Sequence, residues 1–341
     1  MKAIGYLKPQ PIDKPNSLID IELPKPKATG RDLLVKVNAI SVNPVDTKIR
    51  VKATPGEGEH KVLGWDAVGE VVAIGDDTEF YSVGDKVWYA GDLTRPGTNA
   101  EFHLVDERIV GRKPDSLSNA EAAAIPLTAI TAWELLFDRL GFEYQTAPKK
   151  TDEQRLLIVG AAGGVGSILV QLAAQLTQAT VIGTASRPSS QEWVKNLGVD
   201  HVINHNEPLT NELKRIGIDS VTHVISLNHT EQHYEQIVEA LAPQGKFALI
   251  DDPKTKLDIM KLKIKSISLH WEFMFTRSMF NTSDVSKQRD LLNTLSSLID
   301  AGTIKTTFGE NYGTINAENL KRAHAHIESG SAIGKIVLEG F

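Results

Sequence analysis

Cysteine is missing from all 341 residues. Its absence removes disulfides, thiolate nucleophiles and every cysteine-based zinc site. An excess of positive charge is missing too. Lys and Arg number 37 against 43 Asp and Glu, a formal net charge of −6, so the total implies no basic face for nucleic acid. No apolar run is expected to approach the roughly 20 residues a membrane span needs. No signal peptide is expected, because Met1–Tyr6 reads directly as a strand. Internal repeats and low-complexity tracts are lacking as well. With 41% hydrophobic and 23% charged residues, the chain has an ordinary globular balance and room for two domains. The expectation is a cytoplasmic protein with no nucleic-acid partner and no membrane.

What is present is most concentrated in Leu156-Leu157-Ile158-Val159-Gly160-Ala161-Ala162-Gly163-Gly164-Val165-Gly166-Ser167. An apolar strand runs into a cluster of very small residues, and an amphipathic helix follows. Such a turn lets backbone N–H groups approach a pyrophosphate at the helix N-terminus. Ala162, Gly163, Gly164 and Val165 are the expected contacts. Ala161 stands where the first glycine of the usual fingerprint would be, which is acceptable if its φ stays negative. The alternative is a tight strand-to-helix turn with no ligand.

The next strand, Thr180–Ala185, is followed by Ser186-Arg187. An NAD site would carry Asp or Glu there to accept from the ribose 2′-hydroxyl. A hydroxyl and a guanidinium instead suit a 2′-phosphate, by charge and by paired donation. Arg187 also stands about 20 residues beyond Gly166, the usual offset. The pattern favours NADPH over NADH, with an ordinary solvated arginine as the alternative.

Around these landmarks the first 120 or so residues read as short strands broken by Gly and Pro, an irregular β domain. Leu117–Leu140 turns helical. The middle then alternates strand and helix as in a doubly wound parallel sheet. Asp284–Ala301 and Ala317–Glu328 read as helices, and Lys335–Leu338 as a last strand returning to the N-terminal domain. The stretch 141–155, with Pro148-Lys149-Lys150-Thr151-Asp152, reads as an exposed loop. The fold class is α/β. The expected division is a β domain from 1–125 and 268–341, and a Rossmann dinucleotide domain from 126–267.

Asn43-Pro44-Val45-Asp46, Gly64-Trp65-Asp66-Ala67-Val68-Gly69, Gly84-Asp85-Lys86-Val87, Gly97–Glu101, Pro126–Ala132 and Gly160–Gly166 follow one another in order along nearly the whole chain. Together they resemble the medium-chain dehydrogenase/reductase superfamily, in its zinc-free quinone oxidoreductase-like branch. Leu197–Asn204 continues the series. His270–Phe275, Arg277 and Ser329–Leu338 are similar to a bacterial subgroup labelled zinc-type alcohol dehydrogenase-like. The resemblance implies a GroES-like catalytic domain split around a Rossmann domain, an active site between them, and a homodimer pairing nucleotide-domain edge strands.

Zinc-dependent relatives place a Cys near Asn43, a His-Glu pair at Trp65-Asp66 and another Cys near Leu127-Thr128. Trp cannot ligate zinc, and Asn and Thr are poor ligands, so no metal is expected. Elsewhere, His229 and His233 read as solvated helix-start residues, and His324 and His326 as unremarkable.

Without a metal, a neutral donor or ordered water must face the substrate oxygen as hydride arrives. Asn43 is the first candidate, with Asp46 and Arg50 orienting its loop by an ion pair. The family pattern implies Thr128 beside the nicotinamide, with helix capping as a compatible role. Asn43, Asp46 and Thr128 are thus the expected catalytic residues, and Asn43 and Thr128 are expected at the cofactor as well. Trp65 is expected to wall the substrate pocket, with Phe273 and Met274 as an apolar lid. His205 stands where relatives place a Tyr near the adenosine phosphate, and Leu227 and Ile250 should line the nicotinamide side. The implied activity is NADPH-dependent reduction of a quinone or α,β-unsaturated carbonyl, a small-molecule substrate. A zinc-independent carbonyl or alcohol dehydrogenase and a low-turnover nucleotide-binding protein are the alternatives.

Overall fold

The computed structural model describes residues 1–146, 150–151 and 153–341. Pro148, Lys149 and Asp152 of the expected exposed loop lie outside the described residues. The chain forms two compact units, Met1–Ile130 with Phe275–Phe341, and Thr131–Met274.

The first unit is built on a mostly antiparallel sheet. Its strand order is Phe308–Asn311, Lys335–Glu339, Asp32–Val42, Ala67–Ile74, Lys86–Tyr89 and Val110–Arg112, with Phe102–Asp106 also paired to Asp32–Val42. Asp32–Val42 holds its neighbours because its alternating residues Leu33, Val35, Val37 and Ala39 are all buried. The last strand returns to this sheet as expected, pairing Ile336 with Val42. A smaller sheet joins Ile19–Glu22, Lys2–Tyr6 and Lys61–Val62.

In the second unit six parallel strands run in the order His201–Ile203, Thr180–Thr184, Arg155–Val159, Val221–Ser226, Leu241–Leu249, Ser268–Trp271. Numbered along this unit, that is 3-2-1-4-5-6, the doubly wound order whose switch point lies between the first and fourth strands. Buried Leu157, Val159, Val224, Ile237, Phe247 and Leu249 share one core there.

Two expectations are corrected. Ser268–Trp271 is hydrogen-bonded to Leu241–Leu249, so the second boundary falls after Met274 rather than after 267. Moreover, Asn119–Arg139 is a 21-residue helical stretch long and apolar enough, by length and composition, to cross a membrane. It is 83% buried inside the protein over its most apolar window, which is how a core helix passes the same test. Its last turn, Glu134–Arg139, widens into a π-helix.

Candidate functional site

At the switch point, strand Arg155–Val159 ends in Gly160, whose φ of 88° demands glycine. Ala161 is buried and keeps a negative φ, as its place in the turn requires. A side chain on Gly166 would press on backbone, 2.4 Å from Gly160 O and 2.6 Å from Ala161 C. Glycine there seats the helix Gly164–Leu176 tightly against the strand. Gly163 caps that helix and is open, with only Gly160 O at 3.6 Å from a would-be Cβ. Sequence and packing thus aim the first-turn N–H groups, including those of Gly164 and Val165, at whatever fills the turn.

Ser186 and Arg187 follow the neighbouring strand, with Arg187 exposed at the cap of helix Pro188–Asn196. His205 pairs its Nδ1 with Thr184 Oγ1 at 3.1 Å, and Thr184 Oγ1 accepts from Gly160 N at 3.1 Å. Burial, then His233 and His229, lowers the His205 pKa. Its ring centroid lies 6.0 Å from that of His233, so these two histidines belong to one cluster rather than to open solvent. Leu227 and Ile250 directly follow the fourth and fifth strands, both half-buried. Glu272, which the sequence reading missed, directly follows the sixth, and its N–H reaches Leu249 O at 3.1 Å. Phe273 is 48% exposed beside it, whereas Met274 is buried.

In the first unit, three strand ends converge. Asn43 follows Asp32–Val42, Asp66 precedes Ala67–Ile74, and Lys335 opens the last strand. All three side chains are buried. Asn43 Nδ2 donates to Asp66 Oδ2 at 2.7 Å and lies 3.4 Å from Ser41 O. The Lys335 ammonium donates to Asn43 Oδ1 at 2.5 Å, Asp66 Oδ2 at 3.1 Å and Val42 O at 3.2 Å. Asp66 Oδ1 accepts from Leu127 N at 2.8 Å. This network fixes the start of helix Pro126–Trp133, where Thr128 Oγ1 donates to Ile125 O at 3.0 Å.

Several expected roles change here. Asn43 spends its amide on Asp66 and Lys335 rather than pointing a free donor at a substrate. Asp46 accepts from Asn43 N at 2.6 Å, and burial pushes its carboxyl up to about 7. The expected Asp46–Arg50 ion pair is replaced: Arg50, fully buried, donates to Glu328, to Gln10 O at 3.1 Å and to His324 Nδ1 at 2.9 Å. His324, expected to be unremarkable, is therefore a buried partner of that guanidinium. Trp65 is packed inside this unit, donating Nε1–H to Asp92 O at 3.2 Å and meeting Phe275 edge-on at 6.2 Å, so it is not an open wall. The signal for Asp66 and Lys335 lay in charges set among apolar strand residues, which demand a buried partner.

A catalytic zinc would take lone pairs at these same positions. Asn43 Oδ1 and Asp66 Oδ2 already receive an ammonium, and the Trp65 indole offers no lone pair. The residues do not fit the metal. Among the described residues, no group of three or more His, Cys, Asp or Glu is arranged to hold one. A dinucleotide does fit the glycine turn, where Gly163 leaves open space beside the helix start.

The GroES-like domain model of alcohol dehydrogenases matches residues 29–115, and a zinc-binding dehydrogenase model matches residues 197–338. The zinc-type alcohol dehydrogenase-like protein of Staphylococcus aureus strain COL is 40% identical over 99% of both chains. A Rhizobium etli CFN 42 structure, described as that of a candidate zinc-dependent alcohol dehydrogenase, superposes with TM-score 0.94 at 55% identity over 100% of this chain and 98% of its own. Escherichia coli quinone oxidoreductase complexed with NADPH superposes with TM-score 0.82 at 25% identity, over 99% and 100%. With its fold, its glycine turn and full-length relatives in agreement, the chain belongs to the medium-chain dehydrogenase/reductase superfamily of oxidoreductases.

Proposed function

We propose that this oxidoreductase uses NADPH to reduce a quinone or an α,β-unsaturated carbonyl compound, without a catalytic metal. One observation carries the reading: the strand after the glycine turn ends in Ser186-Arg187, with no carboxylate to receive a ribose 2′-hydroxyl. The N–H groups of Ala162, Gly164 and Val165 hold the pyrophosphate, and Gly163, whose own N–H goes to Gly160 O at 3.3 Å, gives it room. Ser186 and Arg187 hold the 2′-phosphate, with His205 nearby on Thr184. Leu227 and Ile250 flank the nicotinamide, and Phe273 with Met274 covers the apolar side of the substrate. When bound, the cofactor supplies the hydride.

Thr128 is the hydroxyl kept at the catalytic side. Its proton is shared with Ile125 O, and its oxygen retains lone pairs for a partner. Asn43, Asp46, Asp66 and Lys335 hold the loop and helix start that carry it. The likeness to quinone oxidoreductase supports this substrate class. Relatives named for alcohol dehydrogenase support a second reading, zinc-independent interconversion of simple carbonyls and alcohols. We read the molecule as a homodimer, a second copy pairing with the edge strand Ser268–Trp271, where Trp271 is 55% exposed.

An assay following NADPH oxidation with a small quinone and with a saturated aldehyde tests the activity. Turnover with the quinone alone is expected. Turnover with the aldehyde alone moves the activity to the second reading, and tight NADPH binding with neither turnover removes the enzymatic claim.

A further inference from the structure

We propose that Glu134 and Glu272 form a carboxyl pair sharing one proton, and that this pair positions the Glu272–Met274 segment against the nicotinamide end of the dinucleotide. The proposal rests on the dinucleotide reading above.

The two side chains come from distant elements of the second unit. Glu134 opens the π-helical turn Glu134–Arg139, and Glu272 directly follows the edge strand. Both are buried. In an ordinary α-helix, residues five apart point about 140° away from each other. The widened turn, seen in Leu140 N donating to Leu135 O at 3.0 Å, instead brings Arg139 to 3.5 Å from Glu134 Oε2. The same guanidinium donates Nε–H to Glu272 Oε2 at 2.7 Å.

One guanidinium therefore serves two buried carboxyl groups, and as two anions they would outnumber the single cation between them. A proton held by one of them removes that excess charge and gives the pair a donor, since two carboxylates offer only acceptors. Burial, and then the charge of Glu134, raises the Glu272 pKa against the weaker pull of Arg139. Glu134 and Arg139 are the charged groups facing Glu272. On its own strand, His270 is influenced by Lys246 and Arg139.

Position gives the pair its task. Leu227, Ile250 and Glu272 stand just past the carboxyl ends of three adjacent parallel strands, the edge on which ligands of such sheets bind. Losing the shared proton leaves two buried anions on one cation. Repulsion then drives Glu272 off the π-turn and takes Phe273 and Met274 with it. Glu272 acts through that segment, as a positioning residue.

The test compares NADPH with 2′-phosphoadenosine diphosphoribose, which keeps the phosphates and lacks the nicotinamide. Each is titrated against the full chain from about pH 7 to about pH 10. NADPH should weaken about tenfold while the fragment stays within about twofold. Glu272→Gln, which keeps a neutral hydrogen-bonding group, should retain neutral-pH affinity and flatten the NADPH curve. A flat wild-type NADPH curve, parallel weakening of both ligands, or unchanged pH dependence in Glu272→Gln overturns the proposal. The wild-type comparison decides it even if the variant misfolds. Failure of both ligands to bind at neutral pH strikes the dinucleotide reading instead.

Discussion

At the scale of single residues, buried charge is the feature that most constrains this protein. Lys335 and Asp66 are both sealed from water and share Asn43. Removing one partner leaves an uncompensated charge in the interior. Lys335→Met and Asp66→Asn should each cost roughly 3–5 kcal/mol in chemical denaturation, and their combination much less than the sum. Strict additivity would show that the pair is not coupled. His103 supplies a second test. Its Nε2 faces Pro96 O and its Nδ1 faces Tyr89 OH, each at 3.0 Å, so the neutral ring is the one the site accommodates. Burial, chiefly, pulls its pKa down to about 4. The folded state then binds fewer protons than the unfolded state below the ordinary histidine range. The His103 contribution is present above about pH 6.5 and lost toward about pH 4, by on the order of 3 kcal/mol. Stability curves of wild type and His103→Gln should converge over that interval. A gap constant with pH contradicts the assignment.

At the scale of elements, the glycine turn was legible because its whole logic is local. Strand, small-residue cluster and helix are consecutive, and the positions of Gly160 and Gly166 follow from one φ angle and one close backbone approach. The same locality makes it separable by mutation. Gly166→Val drives side-chain atoms into Gly160 O and Ala161, so both stability and nucleotide binding should fall. Gly163→Ala meets nothing closer than ordinary contact. Its melting temperature should stay within a few degrees of wild type while NADPH affinity drops at least about tenfold. Unchanged affinity in Gly163→Ala would mean that no pyrophosphate lies against the turn. The π-turn was not legible. Glu134–Arg139 sits in an Ala- and Leu-rich helical pattern that gives no hint of the wider spacing, and the residue its Arg139 bonds, Glu272, lies just past a distant strand.

At the scale of the whole molecule, the doubly wound order and the return of the last strand followed from alternation of elements and from the co-linear motifs. The charged network of the first unit did not, because Asp66 and Lys335 are 269 residues apart, and a charge among apolar residues signals a buried partner without saying which one. The same distance explains why Asn43 read as a free donor: its neighbours in sequence give no sign of the ammonium beside it. The second boundary moved to Met274 because strand Ser268–Trp271 completes the parallel sheet.

The central claim is a dinucleotide gripped by the Gly160–Gly166 turn and chosen by Arg187. Calorimetric titration of the purified chain with NADPH and NADH, repeated on Arg187→Ala, tests it most directly. The account predicts NADPH tighter by at least about tenfold, with the alanine variant weakening NADPH and leaving NADH nearly unchanged. Equal affinities in the wild type, or a preference for NADPH that survives loss of Arg187, would contradict it.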